Sequence, residues 1–379
     1  MFRHCGNFLS QVFLTVDVYD KQTKDMLLQT TVPRYLGGTG WNDIASPFIN
    51  VGKMQNRGFD LGLTTRNVLT KKFTWSTNLT FSLNRNKVLE LDNPDKIYWQ
   101  NLYWYSEFQT ATTTRVGYPV GLFWGYETDG LFTSEEDILN HAVQVSDGFI
   151  TDDNPHGRNL ADKRGGVWIG DYKFKDLNGD GIINVDDQTF IGDPNPDFTY
   201  GINNNFTFGA FEATVYLHGS YGADVLNYSR VFIEGMTNVF SNQAATVDDR
   251  ARYNYADPNG DTFDPANVTL ANPDAEIPRP TSTDVNRNNR MSDRFIEDGS
   301  FLRIQNIKLG YTLPESYTKR VRIQRMKVYF NAQNLYTFTK YSGYDPEIGA
   351  FNQSPLLQNV DMGRYPTPRM LTFGLDVDF

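Results

Sequence analysis

The stretch FTWSTNLTFSLN (Phe73–Asn84) decides the fold class. Phe73, Trp75, Thr77, Leu79, Phe81 and Leu83 share one parity, and Thr74, Ser76, Asn78, Thr80, Ser82 and Asn84 share the other. Successive side chains of a β-strand point to opposite faces, so the segment has one apolar face and one uncharged polar face. Soluble strands average about five or six residues. A strand that crosses a bilayer needs about 9–11. Length and alternation together predict a transmembrane strand.

The pattern recurs along the chain. Phe198, Tyr200, Ile202, Phe206 and Phe208 alternate with Thr199, Gly201, Asn203, Asn205 and Thr207. After a tight Gly209-Ala210 turn, Phe211, Ala213, Val215 and Leu217 oppose Glu212, Thr214, Tyr216 and His218. Ile307, Leu309 and Tyr311 repeat the alternation, as do Met326, Val328, Phe330 and Ala332. Phe13, Val16 and Val18 mark an earlier strand, and about ten are expected in all. Short turns coexist with long polar insertions, the largest running from about Gly222 to Arg294. Short turns at one rim and long loops at the other are the asymmetry of outer-membrane barrels. A soluble β-sandwich also alternates, but its strands are shorter and turn about every 8–12 residues. The chain closes on Leu371, Phe373, Leu375, Val377 and Phe379, an alternating strand ending on an aromatic. Such an ending matches the strand that barrel-assembly machinery recognises.

The totals agree. The chain has 379 residues, a net charge of -10, 39% hydrophobic and 14% aromatic residues. Its mean hydropathy is -0.49. An acidic chain does not suit phosphate neutralisation, so no nucleic-acid partner is expected. Cys5 is the only cysteine, which excludes an intrachain disulfide and an all-thiolate zinc site. No run of about 18 apolar residues offers a transmembrane helix, which leaves a barrel open. The first 25 residues do not read as a signal peptide and run straight into a strand, the mark of a fragment or a mis-assigned start.

Enzyme signals are weak. His4, His141, His156 and His218 are scattered, with no HExxH. His218-Gly219-Ser220-Tyr221-Gly222 misses the G-x-S-x-G elbow and reads as a strand end. Gly37-Gly38-Thr39-Gly40 lacks a P-loop lysine, and Glu135 with Glu136 reads as a polar loop. No catalytic residue is expected. The pairs Tyr98-Trp99 and Phe123-Trp124 and the run Tyr103-Trp104-Tyr105 could stack on sugars, but interfacial girdle or loop packing is the preferred reading.

Asp176 to Asp187 (DLNGDGIINVDD) fits a calcium loop. Asp176, Asn178 and Asp180 stand at positions 1, 3 and 5, Gly181 permits the bend, Ile182 offers a carbonyl at 7, and Asp187 sits at 12. Calcium takes six to eight oxygens, and this spacing supplies a hard-oxygen set. The loop follows a strand at Tyr172–Lys175, so it is closer to a dockerin loop than to a helical sensor.

Whole blocks resemble the SusC/RagA family of TonB-linked outer-membrane importers. They are NVGKMQNRGFDLGL (Asn50–Leu63), FTWSTNLTFSLNRNKVLEL (Phe73–Leu91), VGYPVGLFWGYETDGLF (Val116–Phe132) and GDYKFKDLNGDGIINVDDQTFIGDPNPDFTYGINNNFTF (Gly170–Phe208), then DRFIEDGSFLRIQNIKLGYTLP (Asp293–Pro314), VYFNAQNLYTFTKYSGYDPEIG (Val328–Gly349) and YPTPRMLTFGLDVDF (Tyr365–Phe379). The resemblance implies an all-β fold: residues 1–379 as the C-terminal strands of a 22-stranded antiparallel transmembrane β-barrel with long extracellular loops, plug and TonB-contacting segment absent. It implies the outer membrane as location and its lipid as surroundings. A SusD-like surface lipoprotein over the mouth and an oligosaccharide or peptide substrate are further expectations, with TonB acting only through the missing N-terminal part. The alternative is a secreted β-sandwich carbohydrate-binding module with a dockerin-like calcium loop.

Overall fold

The chain opens with four strands, β1 (Phe2–Phe8), β2 (Val12–Gln29), β3 (Phe48–Leu69) and β4 (Phe73–Glu90). Six short strands follow: β5 (Tyr98–Trp104), β6 (Glu107–Thr114), β7 (Leu122–Gly125), β8 (Thr128–Leu131), β9 (Tyr172–Phe174) and β10 (Thr189–Gly192). Next come the hairpin β11 (Phe198–Phe208) and β12 (Phe211–Tyr221), and four short strands, β13 (Asp224–Leu226), β14 (Tyr253–Tyr255), β15 (Val268–Leu270) and β16 (Ile296–Asp298). Last are β17 (Phe301–Thr312), β18 (Arg325–Thr339) and β19 (Met370–Asp378). The structure is a computed structural model that describes residues 2–8, 11–29, 48–91, 97–104, 107–144, 160, 166–236 and 242–379. Gly37–Gly40, Tyr105 and His156, singled out above, lie outside the described residues.

One nine-stranded antiparallel sheet, β1-β2-β3-β4-β11-β12-β17-β18-β19, forms a wall. Each neighbour in it is the next long strand in sequence, an up-and-down meander. Among the described residues the wall has nine strands, close to the about ten expected. The short strands belong to smaller sheets in the insertions, such as β10-β7-β6-β5. β3 has 22 residues and β4 has 18. Both exceed the bilayer requirement of about 9–11, so they project beyond an apolar band.

Register carries the alternation from strand to strand. Leu61 lies opposite Phe81, Phe81 opposite Tyr200, and Leu63 opposite Leu79, which pairs with Ile202. These side chains make one continuous apolar face. Two rows of aromatic rings bound it. Toward the long loops, Phe59, Phe81, Phe198 and Tyr221 stack at 5.6, 5.1 and 5.1 Å. Toward the short turns, Phe73 meets Phe208 at 6.5 Å, Trp75 meets Phe206 at 5.8 Å and Phe330 meets Phe373 at 4.9 Å. From Phe73 to Phe81 is eight residues, about 27 Å along a strand. At the usual barrel tilt that is about 20 Å across a membrane, near the height of a lipid-facing band. This face is bare: Phe208 is 63% exposed and Phe373 80%. A sandwich would bury it against a second sheet, so the β-sandwich alternative is not supported. Asn204 interrupts the apolar parity, but it accepts hydrogen bonds from Trp75 Nε1 (3.1 Å) and Thr77 Oγ1 (2.7 Å). Phe13 stands on the polar parity, opposite to Val16 and Val18, because odd and even residues of β2 face different ways.

The hydrophobic core lies in the insertions. Trp168, Phe132 and Phe174 come from residues 91–197, and Tyr228 and Phe295 from residues 222–300, all at most 1% exposed. They gather in two clusters, one joining Tyr126, Trp168 and Val268, the other Phe123, Tyr228, Phe295 and Leu357. The polar insertions are thus folded. Asn, Asp and Gly make their turns, while apolar residues spaced singly along the chain converge. Glu135 and Glu136 also prove to be structured. They occupy the first turn of α1 (Glu135–Leu139), where Ser134 accepts from the Asp137 amide and acidic residues suit the helix N-terminus.

Candidate functional site: the polar face and its folded loops

On the polar face, register stacks small and polar side chains into rows. Asp17 lies opposite Asp60, Asp60 opposite Ser82, Ser82 opposite Thr199, and Thr199 opposite Ser220. Ser82 Oγ donates to Asp60 Oδ1 at 2.5 Å. The next row runs Thr15, Gly62, Thr80, Gly201, His218 and Arg303. The two glycines leave space over the sheet, and a cavity of about 790 Å³ lies between this face and the loops. Its lining includes Asp17, Asp60, Thr199, Tyr216, His218 and Glu347.

The loop 340–369 returns onto this face and is pinned there. Arg303 is 3% exposed. It is ion-paired with Asp345, and it donates to Glu347 Oε2 at 2.9 Å and to Thr337 Oγ1 at 3.0 Å. Asp345 also accepts from the amides of Glu347 (3.0 Å) and Thr367 (3.2 Å). His218 Nε2 stands 3.7 Å from Glu347 Oε2. Burial alone would raise the Asp345 pKa, but those amides and the guanidinium together hold it below its ordinary value. Glu347 is likewise lowered, first by the His218 side chain beside it, against a burial penalty, and then by the charge of Arg303. Farther along the loop, Tyr341 donates to Asp361 at 2.6 Å, and burial pushes the tyrosine hydroxyl up.

A second buried network ties the insertions to each other. Arg279 donates to both oxygens of the inaccessible Asp171, at 2.7 and 3.1 Å. Asn288 joins Asp171 to the Tyr172 amide, and Gln144 bridges Tyr172 and Asn286. Burial pushes the Tyr172 phenol up to about 12. A buried ion pair is held by such added hydrogen bonds, which satisfy the remaining polar atoms.

The loop 176–187 folds as a chain of Asx turns after β9. Asp176 accepts from the amides of Gly179 (2.7 Å) and Gly181 (2.8 Å), and Asp180 accepts from Ile182 (2.8 Å). Asp187 accepts from Leu177 and Asn184 and is fully buried, capping a 3-10 turn. Gly179 and Gly181 both have positive φ, which the bend requires. The loop thus carries the oxygen donors of Asp176, Asn178, Asp180, Ile182 and Asp187, a set whose chemistry suits calcium. Their carboxylates are already engaged by the loop's own backbone, and among the described residues no three His, Cys, Asp or Glu side chains converge as a metal cluster. The aromatic pairs divide. Phe123 is buried in the loop core. Trp99 and Trp124 meet edge to face at 5.5 Å on the loop sheet, away from the two girdle rows. There Arg115 lies 4.2 Å from the Phe190 ring centroid and 4.3 Å from that of Tyr118.

No family model matches the chain. It is 30% identical over 376 residues to TonB-dependent receptor P3 of Formosa agariphila, covering 98% of this chain and 33% of that protein. TonB-dependent receptor SusC of Bacteroides thetaiotaomicron is 24% identical across 96% of this chain and 30% of its own length. The solved RagAB peptide transporter superposes with a TM-score of 0.68 at 22% identity, over 98% of this chain and 34% of that one. The chain is a barrel portion of a SusC/RagA-type TonB-dependent receptor. It spans about a third of the length of the curated relatives it matches. In a receptor of this type the wall stands in the outer membrane, with its long loops outside the cell. The short turns, such as Gly209-Ala210, then lie on the periplasmic side.

Several residues of this receptor portion carry no sequence signal of their own. Asp345 and Glu347 fall inside the YSGYDPEIG stretch, but nothing local pairs them with Arg303, some forty residues earlier. For His218 the strand parity does give the polar face, though it does not give the contact with Glu347.

Proposed function

We propose that this chain forms barrel wall and extracellular loops of an importer that takes up an oligosaccharide or a peptide across the outer membrane. The observation that carries the reading is the two-faced wall. Its apolar face is bare between two aromatic rows, and its polar face is roofed by folded loops. A wall of this kind separates lipid from a polar passage, and loops gathered at the outer mouth are suited to hold a substrate. A SusD-like lipoprotein over that mouth is the partner the relatives suggest. TonB is a further partner that the relatives suggest for the receptor as a whole. The reading gives the chain no catalytic step. Calcium in the loop 176–187, held by Asp176, Asn178, Asp180, Ile182 and Asp187, would stiffen the connection between β9 and β10.

The test is uptake by cells that carry the intact receptor. Labelled oligosaccharides and peptides are supplied with and without collapse of the proton-motive force. Energy-dependent uptake of one class is expected, and it should be lost when residues 340–369 are replaced by a short Gly-Ser link in a receptor that still reaches the outer membrane. Undiminished uptake in that variant would remove the loops from the proposed role.

A further inference from the structure

On the apolar face, near the short turns, the wall is not smooth. Register sets Ala213 of β12 between Phe206 of β11 and Leu309 of β17. The small methyl makes a floor among ring walls. Phe211 leans on Tyr311 at 4.6 Å and Phe330 on Phe373 at 4.9 Å. The resulting groove holds about 450 Å³. At about 30 Å³ for each water-sized group, it takes roughly fifteen of them, the scale of one acyl chain.

The rim beside the groove is basic although the chain carries a net charge of -10. Three turns are joined there by backbone hydrogen bonds. The Gly209 amide donates to Lys72 O at 3.0 Å, and the Thr312 amide donates to Ala210 O at 2.9 Å. Lys71 and Lys72 stand on the first turn, and Lys319, Arg320 and Arg322 on the connection from β17 to β18. Lys319 pairs with Glu315, whereas Arg320 and Arg322 are exposed and form no ion pair among the described residues. Phe208, Phe211 and Tyr311 of the groove adjoin these turns.

We propose that the groove and these turns hold one anionic phospholipid of the periplasmic leaflet, with an acyl chain over Ala213 and the phosphate at the basic turns. The proposal rests on the outer-membrane location of the wall. Any apolar face attracts lipid tails. A groove orders one of them, and guanidinium groups at headgroup depth select an anionic head.

Native mass spectrometry of the intact, detergent-extracted receptor tests this, with phosphatidylglycerol and phosphatidylethanolamine titrated separately. Phosphatidylglycerol should be retained at a concentration lower by about tenfold or more. Ala213→Phe, which fills the groove, should lose retention of both lipids. The pair Arg320→Ala and Arg322→Ala should lose only the preference. Leu61→Phe, on the same face but away from the groove, should behave as the unsubstituted receptor. Should Ala213→Phe fail to assemble, the arginine variants decide alone, since they lie outside the wall. Equal retention of the two lipids, an intact preference without the arginines, or loss of lipid in Leu61→Phe would each overturn the proposal. So would an adduct of a second protein copy in place of lipid, abolished by Ala213→Phe. A receptor that leaves the cell envelope without detergent would instead contradict the location itself.

Discussion

Arg303 is a cation on a strand of the wall, taken almost wholly out of water and answered by two carboxylates of one loop. Removing one partner of a buried pair leaves an uncompensated charge and costs about 3–5 kcal/mol. Because Glu347 remains as a second partner, Asp345→Ala should fall near the lower end of that range. The effect should appear as faster hydrogen exchange across residues 340–369, with the wall strands unchanged. Both carboxylates titrate below their ordinary values in the folded receptor. Their contribution is therefore complete at neutral pH and is lost only as pH falls below the ordinary carboxylate range. Exchange in the loop should not rise between pH 8 and 6 and should rise only in strong acid, and a rise between pH 7 and 6 would contradict the assignment. The proposed calcium loop belongs to the same scale. Titration calorimetry should give a dissociation constant of about 10⁻⁶ to 10⁻³ M, the weaker part of the known range, since position 12 is Asp and the frame is not helical. Asp176→Ala with Asp180→Ala should abolish the heat. An equal heat in both proteins would leave the loop as a plain chain of turns.

Within a single strand, the two faces of the wall make opposite predictions for neighbouring residues. Ile202 lies opposite Leu79 and Leu217 in the middle of the apolar band, and Asn203 lies opposite Asn78 on the polar face. Ile202→Lys should destabilise the assembled receptor by about 2–4 kcal/mol, the usual cost of a basic side chain at the lipid midplane. Asn203→Lys should change stability much less. Unfolding in lipid vesicles against urea measures both. This alternation was legible from residues alone because period two is a local property of the extended chain, and Phe73–Asn84 displays it without help from the rest of the molecule. The folded insertions were not legible. Their core joins Trp168 to Val268 and Phe123 to Leu357, contacts that no periodicity encodes. Phe123 read as girdle or loop packing, and it packs in the loop core, but its partners there could not be read from the sequence. Asn204 broke the alternation, and its hydrogen bonds to Trp75 and Thr77 required knowing which strand lies beside it.

At the scale of the whole molecule, one sheet serves two solvents. The insertions fold into cores of their own outside the bilayer, so the wall need not bury its apolar face within the protein. That division explains how a chain with a mean hydropathy of -0.49 can belong to a membrane. The most direct test reads the environment of each face along β4. With Cys5 and any other native cysteine replaced, single cysteines are placed at Trp75, Ser76, Asn78, Leu79, Thr80 and Phe81 of the intact receptor in lipid, and each is spin-labelled. Power saturation with oxygen and with a water-soluble nickel complex then reports lipid or water at every position. Trp75, Leu79 and Phe81 should be accessible to oxygen and shielded from nickel. The labels at Ser76, Asn78 and Thr80 should not share that lipid signature, so accessibility should alternate with a period of two. Nickel access on both parities would contradict a lipid-facing wall. Shielding of Trp75, Leu79 and Phe81 from both reagents would mean that this face is packed against protein.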